Sequence, residues 1–507
     1  MILQRFSCAE GVEENSRLLS AANTTGRDPI CMTTHLHGRE RQLTTGPTNH
    51  LLTNANVWSA DGQWIYYDVR SDAAGSVFDG TRIERVGAAS GDVEVLYESG
   101  DGACVGVVTA SPTADQVVFI HGPEAPTQDW TYQAWHRRGV IVDAARPEVA
   151  INMDARDLTP PFTPGALRGG SHVHTFSPDG KWIAFTYEDH ILAELGHCTD
   201  EAPISHESNQ RVVGVSVPAD SLPGGLLVVG KEHPRNHNGH YFSVIVTRTH
   251  DHPGPGSDEI CRALEDAWIG RNGYLRRDGQ RQAKAIAFQG EVVAHNGQHH
   301  REVYVVDLPN DLTQSDDGAI AGTPTTRPRP PKGVVQRRLT TTDERRFPGI
   351  QGPRHWLRSS PDGDRIAFLM KDDDGIVQLW TVAPTTGDTR QLTQNAYDVS
   401  SAFTWSPDGR WIAHLMDTSV CVTDTDTGET QRLTGACHES VAPRPEACVF
   451  SPDGTELAYV RPVQQAGEKD PQRAFNQIFL WTFAARPQDD PSGTAKKPGP
   501  RLAIQAS

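Results

Sequence analysis

The cysteines of this chain form no pattern. Eight of them (Cys8, Cys31, Cys104, Cys198, Cys261, Cys421, Cys437 and Cys448) are scattered through 507 residues without one C-x-x-C pair. That distribution argues against a disulfide framework or a cysteine zinc site, and it fits reduced thiols in a cytoplasm. Long apolar runs are missing as well. No stretch approaches the ~18 consecutive apolar residues of a membrane-spanning helix. The opening segment MILQRFSCAEGVEENSRLLS has neither an apolar core nor a small-residue cleavage pattern, so the expectation is a cytoplasmic protein without a secretory signal. Positive charge is in deficit: 47 Lys and Arg stand against 64 Asp and Glu, for a net charge of −17. A general nucleic-acid binder or a binder of anionic membranes is thereby disfavoured, although a local basic site for an anionic small molecule is compatible with an acidic shell. There is no G-x-S-x-G, Walker loop, G-x-G-x-x-G or H-E-x-x-H. Serine hydrolase, nucleotide and zincin chemistries therefore have no support.

What the chain does contain is repetition. An apolar or aromatic residue, then Ser-Pro-Asp-Gly, then an alternating apolar run recurs as TFSPDGKWIAFTY (175–187), SSPDGDRIAFLM (359–370), TWSPDGRWIAHLM (404–416) and VFSPDGTELAYV (449–460). VWSADGQWIYYDV (57–69) and TASPTADQVVFI (109–120) are weaker copies. Pro presets φ, Asp-Gly supplies the turn, and alternation marks the strands of a hairpin. A third strand (EVYVVDLP, IVQLWTVAP) and a fourth (QRRLT, TRQLT, QRLT) follow. Asp362 and Asp408 are 46 residues apart, Asp408 and Asp453 45. Four strands every ~40–50 residues is the signature of a β-propeller.

The last copy lacks a fourth strand before ARPQDDPSGTAKKPGPR, whereas RQLT (41–44) supplies one at the other end. The expected fold is all-β, a seven-bladed propeller whose closing blade mixes N- and C-terminal strands. Its boundaries are an N-terminal extension over 1–40, one propeller domain over 41–485 and a tail over 486–507. Inner strands are expected to start near His50, Ala103, Ser171, Gly239, Pro353, Val399 and Arg444. In DEICRALEDAWIG, Ile260, Leu264, Ala267 and Trp268 fall at helical spacing, which predicts a helical insertion near 258–270. The stretch 314–331 reads as a surface loop. Eight blades follow instead if this region hides another sheet.

If the strand before Ser-Pro-Asp-Gly is innermost, the loops ahead of it bring a short set of residues to the channel mouth. In RGGSHVHTFSPDG, His172 and His174 are two apart on one strand, an arrangement that can offer two imidazoles to one metal. The alternative is two histidines hydrogen-bonded between blades. PRHW places His355, with Arg354 and Trp356, at the same level of a later blade, and His50 does so in the first. The candidate metal ligands are His172, His174 and His355. Arg354 is a candidate carboxylate fork or an ion-pair partner, and His240 and His50 are candidate proton acceptors. Trp356 is a sugar platform or inter-blade packing, and Asn54 a further substrate contact. His233 to His240 (HPRNHNGH) is a lesser candidate cluster, most simply a solvated loop.

The phrases NHLLTN, RGGSHVHTFSPDG, GSDEI, VVQRRLT, PRHW and DDDGIVQLW, in that order, resemble an uncharacterised bacterial family typified by the enterobacterial protein YidR. Its blade grammar is similar to that of TolB-type, WD-like propellers and, more distantly, of oligogalacturonate lyases. The latter resemblance implies a divalent metal, manganese or alternatively zinc or nickel, held by histidines over the channel. The lyases' own phrase of two histidines around a proline is absent, and H-V-H stands on a different blade. Two functions follow as expectations. One is a metal-dependent, carbohydrate-active enzyme, a lyase on a uronate-containing oligosaccharide. The other is a non-catalytic TolB-like propeller that binds a protein or peptide at the channel face. Neither involves nucleic acid or membrane.

Overall fold

The computed structural model describes residues 36–147, 149–197, 206–315, 319–353, 356–446, 448–464 and 474–484. Among these residues the strands sort into seven four-stranded antiparallel sheets and one small hairpin. The innermost strands of blades 1 to 7 are Asn49–Leu51, Val105–Ala110, Gly169–Phe176, Arg262–Trp268, Arg358–Ser359, Thr404–Trp405 and Cys448–Phe450. The fold is a seven-bladed β-propeller. No described helix is long and apolar enough to cross a membrane.

The repeated phrase explains its own turn. Ser177 donates to the Asp179 carboxylate at 2.5 Å and accepts the Trp182 N–H at 2.9 Å, so one hydroxyl ties the turn to the start of the next strand. Gly180 sits at φ +71°, where a side chain would be strained. Ser59, Ser360 and Ser451 repeat the arrangement with Asp61, Asp362 and Asp453. Because the Ser–Asp pair does the fastening, the copy at Ser59 forms without proline.

Each blade is apolar on both faces, and every gap between neighbours holds its own buried cluster. Ile83 and Phe119 fill the gap between blades 1 and 2, Ile141 and Phe185 that between 2 and 3, Val213 and Phe288 that between 3 and 4. Val305 and Phe368, Leu379 and Phe403, then Val420 and Tyr459 continue around the ring. Val57 and Ile478 close it between blades 7 and 1.

Closure occurs as expected. Gly38–Gln42 is the outermost strand of blade 7 and pairs with Ala474–Phe483, Gly38 opposite Phe483 and Gln42 opposite Phe479. It starts three residues before the expected boundary at 41, and Glu40 accepts from Tyr459 and from Arg461, the latter at 2.7 Å. The expected tail over 486–507 lies outside the described residues.

Blade 4 departs from expectation. The segment read as a helix is its innermost strand, Arg262–Trp268, and Tyr241–Ile245 is the outermost strand of blade 3. Pairing slips between Leu264 and Ala267, with Glu265 at φ +57°. This bulge adds a residue and converts period two into spacing that imitates a helix. Ser-Pro-Asp-Gly is also missing here, its place taken by a hairpin of Tyr274–Leu275 and Arg281–Gln282. Nor is 314–331 simply a surface loop, since Arg327 is buried and pairs with Asp251 at 2.6 Å.

Removing residues 1–42 should strip the outermost strand from blade 7. Against a chain lacking only 1–35, five residues of pairing and the Glu40 contacts should cost about 5 kcal/mol, near 1 kcal/mol per hydrogen bond. Thermal melts and size-exclusion profiles check this. Equal melting and no added self-association would rule out the closure as a stabilising element.

Candidate functional site

Segments next to the inner strands bring some of the expected residues together and not others. Asn54 Oδ1 accepts from Arg358 Nη2 at 2.6 Å, a contact from blade 5 to blade 1. The Arg358 guanidinium lies 5.9 Å from the half-buried Trp356 ring. Asn54 and Trp356 are thus brought to one group, gathered by an arginine that was not singled out. Arg354 and His355 lie outside the described residues.

Beside Arg358 stand Glu265 and Asp266, at the bulge of blade 4. Asp266 is 3% exposed and neither of its oxygens has a hydrogen-bond partner among the described residues. Burial, with Glu265 adding to it and Arg358 opposing, raises its pKa to about 7. Burial in turn lowers Arg358 to about 10. An acid that changes charge near neutrality against a channel arginine is the kind of perturbed pair found at functional sites. Reading 258–270 as a helix hid both acids.

His172 and His174 do lie on an inner strand, but the strand bulges between them. Pairing slips between His172 and Thr175, and Val173 takes φ +55°. The rule that alternate residues share a face does not carry across such a bulge. His174 Nε2 donates to Ser171 Oγ at 2.9 Å, and Ser171 donates to Asp154 at 3.1 Å. Burial, then the charges of Arg137 and Arg211, push His172 well below the usual histidine range. Among the described residues neither histidine belongs to a set of three ligand atoms within 4.8 Å.

His50 is buried in blade 1. Its Nδ1 meets Thr44 Oγ1 at 2.9 Å, its Nε2 meets Thr48 Oγ1 at 3.1 Å, and its ring packs 4.7 Å from Tyr67. Burial lowers it to about 4. His240 directly precedes the outermost strand of blade 3 and is not on an inner strand.

Among the described residues three side-chain groups could hold a metal ion: His136, His190 and Glu194; Cys261, Glu291 and His299; and His300, Glu302 and Asp343. Their chemistry separates them. In the third, Arg338 Nη2 already sits 3.2 Å from Glu302 and 3.1 Å from Asp343, and Thr342 donates to Glu302 at 2.7 Å. Those carboxylates are neutralised and saturated. In the second, burial first and Glu291 next push the Cys261 thiol up to about 11, so the soft ligand keeps its proton.

The first group has the donor set of a metal centre. His136 Nδ1 faces the Thr131 carbonyl at 2.7 Å, which fixes the proton on Nδ1 and leaves Nε2 to accept a hydrogen bond from His190 Nδ1, a bond that a metal ion would replace. That Nε2 is 3.2 Å from His190 Nδ1, and Glu194 lies 3.9 Å further along one face of the helix His190–His197. Burial lowers His136 to about 4 and His190 to about 3, keeping both rings in the neutral, ligating form. Trp130 stacks on His136 at 3.7 Å. Arg156 and Arg235 each stand 5.6 Å from the same indole ring. The sequence signal was the i, i+4 pair His190 and Glu194, together with His136 ahead of the third strand of blade 2. His233, from the lesser cluster, faces Trp130 at 6.1 Å.

A family model described as a protein of unknown function (DUF3748) matches residues 104–237, which span this group. The uncharacterized protein YidR of Escherichia coli strain K12 is 45% identical over 424 residues, 83% of this chain and 94% of that protein. The structure of an oligogalacturonate lyase in complex with manganese is similar at 12% identity, TM-score 0.49, covering 89% of this chain and 94% of the lyase. TolB from Acinetobacter baumannii is similar at 12% identity, TM-score 0.32, covering 84% and 81%. These likenesses concern the propeller fold.

Asp266 generates a pH dependence whose sign is fixed. Its folded pKa lies above the unfolded value, so between about pH 4 and 7 the folded chain holds a proton that the unfolded chain has lost. Its contribution to stability should therefore fall by about 1.4 kcal/mol per pH unit across that window and level off above it. Urea melts from pH 4.5 to 8 should show a flatter profile for Asp266→Asn than for the wild type. Superimposable profiles would remove the perturbed acid from the channel.

Proposed function

Since the chain belongs to the YidR family, its function is to be read from the site itself, and we propose that it is a metal-dependent enzyme acting on an acidic carbohydrate. The convergence of His136 Nε2, His190 Nδ1 and Glu194, with the His136 tautomer set by the Thr131 carbonyl, carries this reading. Two histidines and one carboxylate leave coordination positions open, as catalytic divalent sites do, and the N and O donors suit manganese, zinc or nickel.

Charge selects the substrate class. Glu194 is the one anionic ligand, so a bound divalent ion keeps a positive charge in a place that also holds Arg156 and Arg235. What completes the site is an anion. Arg235 is anchored by donating to the carbonyls of Glu124 and Ala125 at 2.7 and 3.0 Å, and Arg156 to the carbonyl of His136 at 3.1 Å. Neither cation has to be ordered when substrate arrives. A divalent ion here would act as a Lewis acid on a uronate carboxylate and acidify the adjacent C–H, whose proton passes to solvent water as the C–O bond to the leaving group breaks, the chemistry of a lyase. His233 Nδ1 accepts the Arg235 N–H at 3.1 Å, so its Nε2 carries a proton to give to the leaving oxygen.

Elemental analysis of protein prepared without chelator should find one divalent metal per chain. Glu194→Gln, at an exposed position, should lose it with the melting temperature almost unchanged, and His136→Ala should lose it as well. His172→Ala/His174→Ala should retain it. Metal lost from the latter and kept in Glu194→Gln would move the centre to the H-V-H strand. On uronate oligosaccharides the loaded protein should generate the ultraviolet absorbance of a new conjugated double bond, reduced about 10²-fold or more in His233→Gln. Binding without turnover, with a protein partner recovered instead, would sink the enzyme reading in favour of a binding propeller.

A further inference from the structure

The hairpin that replaces Ser-Pro-Asp-Gly in blade 4 does more than reverse the chain. Tyr274–Leu275 and Arg281–Gln282 reach toward the loop between the third and fourth strands of blade 5, where Thr385 Oγ1 donates to the Leu275 carbonyl at 2.5 Å. A cavity of about 370 Å³ lies between them, within the usual range for a small-molecule site. Its lining includes Arg276, Arg277 and Arg337, with Asp307 as the one carboxylate.

This concentration of guanidinium groups stands out in a chain of net charge −17. Arg338 also touches the cavity, but its charge is met by Glu302 and Asp343. Asp307 does not neutralise the other three. Tyr274 donates to both of its oxygens, at 2.8 and 3.0 Å, and Arg276 approaches it only to 3.7 Å.

The arginines are held rather than consumed. Arg337 Nη2 donates to Tyr274 Oη at 2.7 Å and to the Pro384 carbonyl. Arg277 donates from Nε and Nη2 to the carbonyls of Thr385 and Thr386, at 3.2 and 3.1 Å. Arg276 Nη2 donates to Gln282 Oε1, which is itself fixed through its Nε2 to the carbonyls of Lys284 and Leu308. Each guanidinium is positioned through part of its donor set and keeps further N–H groups for a ligand.

We propose that this cavity binds a phosphomonoester group on a small polar molecule. Three arginines against one carboxylate leave a surplus of two positive charges, which a phosphate dianion matches and a single carboxylate does not. A tetrahedral anion also accepts donors arriving from several directions, as Arg276 and Arg277 on the hairpin and Arg337 on the strand Val335–Arg338 supply them. The site joins a connection between first and second strands to one between third and fourth strands. The metal-ligand group uses connections between second and third strands, which leave the opposite edge of an antiparallel sheet. The two sites therefore lie on different faces of the ring, and this one stands or falls independently of the proposed reaction.

Isothermal titration of the full chain with inorganic phosphate tests it. One saturable site per chain is expected, weakened about tenfold or more in Arg276→Gln/Arg337→Gln, since two charge-assisted bonds to the anion are removed. Arg276 is 41% exposed, so Arg276→Gln alone should fold normally and still lose affinity. Acetate should bind far more weakly than phosphate. Absence of saturable phosphate binding, equal affinity for acetate, or unchanged phosphate affinity in Arg276→Gln would each overturn the proposal.

Discussion

Everything in this molecule depends on apolar burial between neighbouring blades. A single four-stranded sheet with two apolar faces has no place in water, and only a neighbour on each side removes both faces from solvent. Seven gaps with seven buried clusters satisfy this all the way round. The last gap is the demanding one, because blade 7 is complete only when Gly38–Gln42 joins it. Polar fastening is secondary but follows the same circle. The indole N–H of Trp58 donates to the Val449 carbonyl, that of Trp268 to Thr175 and that of Trp405 to Arg358, each reaching back to the preceding blade.

That rigidity frees the inner strands to be irregular. Val107, Val173 and Glu265 occupy matching bulges in three consecutive blades, each at positive φ. Bulges re-aim side chains, and here they present Asp266 and the His172–His174 segment away from the alternation of the sheet. The strain is tolerated because packing on both sides of each blade holds the strand in place. Loops then divide the chemistry, with imidazoles gathered above blades 2 and 3 and guanidinium groups gathered at the opposite edge of blades 4 and 5.

The architecture was legible because its signals are local. Ser177, Asp179 and Gly180 mark a turn by bonds that span only a few residues, so the same letters announce the same hairpin wherever they recur. Closure was legible because a fourth strand was missing at one end and present at the other. The candidate site was only partly legible. Asn54 and Trp356 were picked out by their distance to the turn, and the structure sets both beside Arg358, which that distance did not mark. Asp266 was hidden because one extra residue at Glu265 turned strand spacing into helix spacing. His136 and His190 meet across two blades, and nothing in either local sequence encodes that distance.

The closing blade also carries a history. Gly38–Gln42 leaves the ribosome long before its partner Ala474–Phe483. At about 5–20 residues per second on the ribosome, the first strand waits tens of seconds for a mate. Blades 1 to 6 have all their strands by then, but the gap between blades 7 and 1 is still open and the ring lacks its final cluster. Such distant pairing is slow to find, and it is the step most exposed to capture by another nascent chain. Yield in a cell should thus be governed less by the stability of the finished ring than by the interval in which its earliest strand stays single.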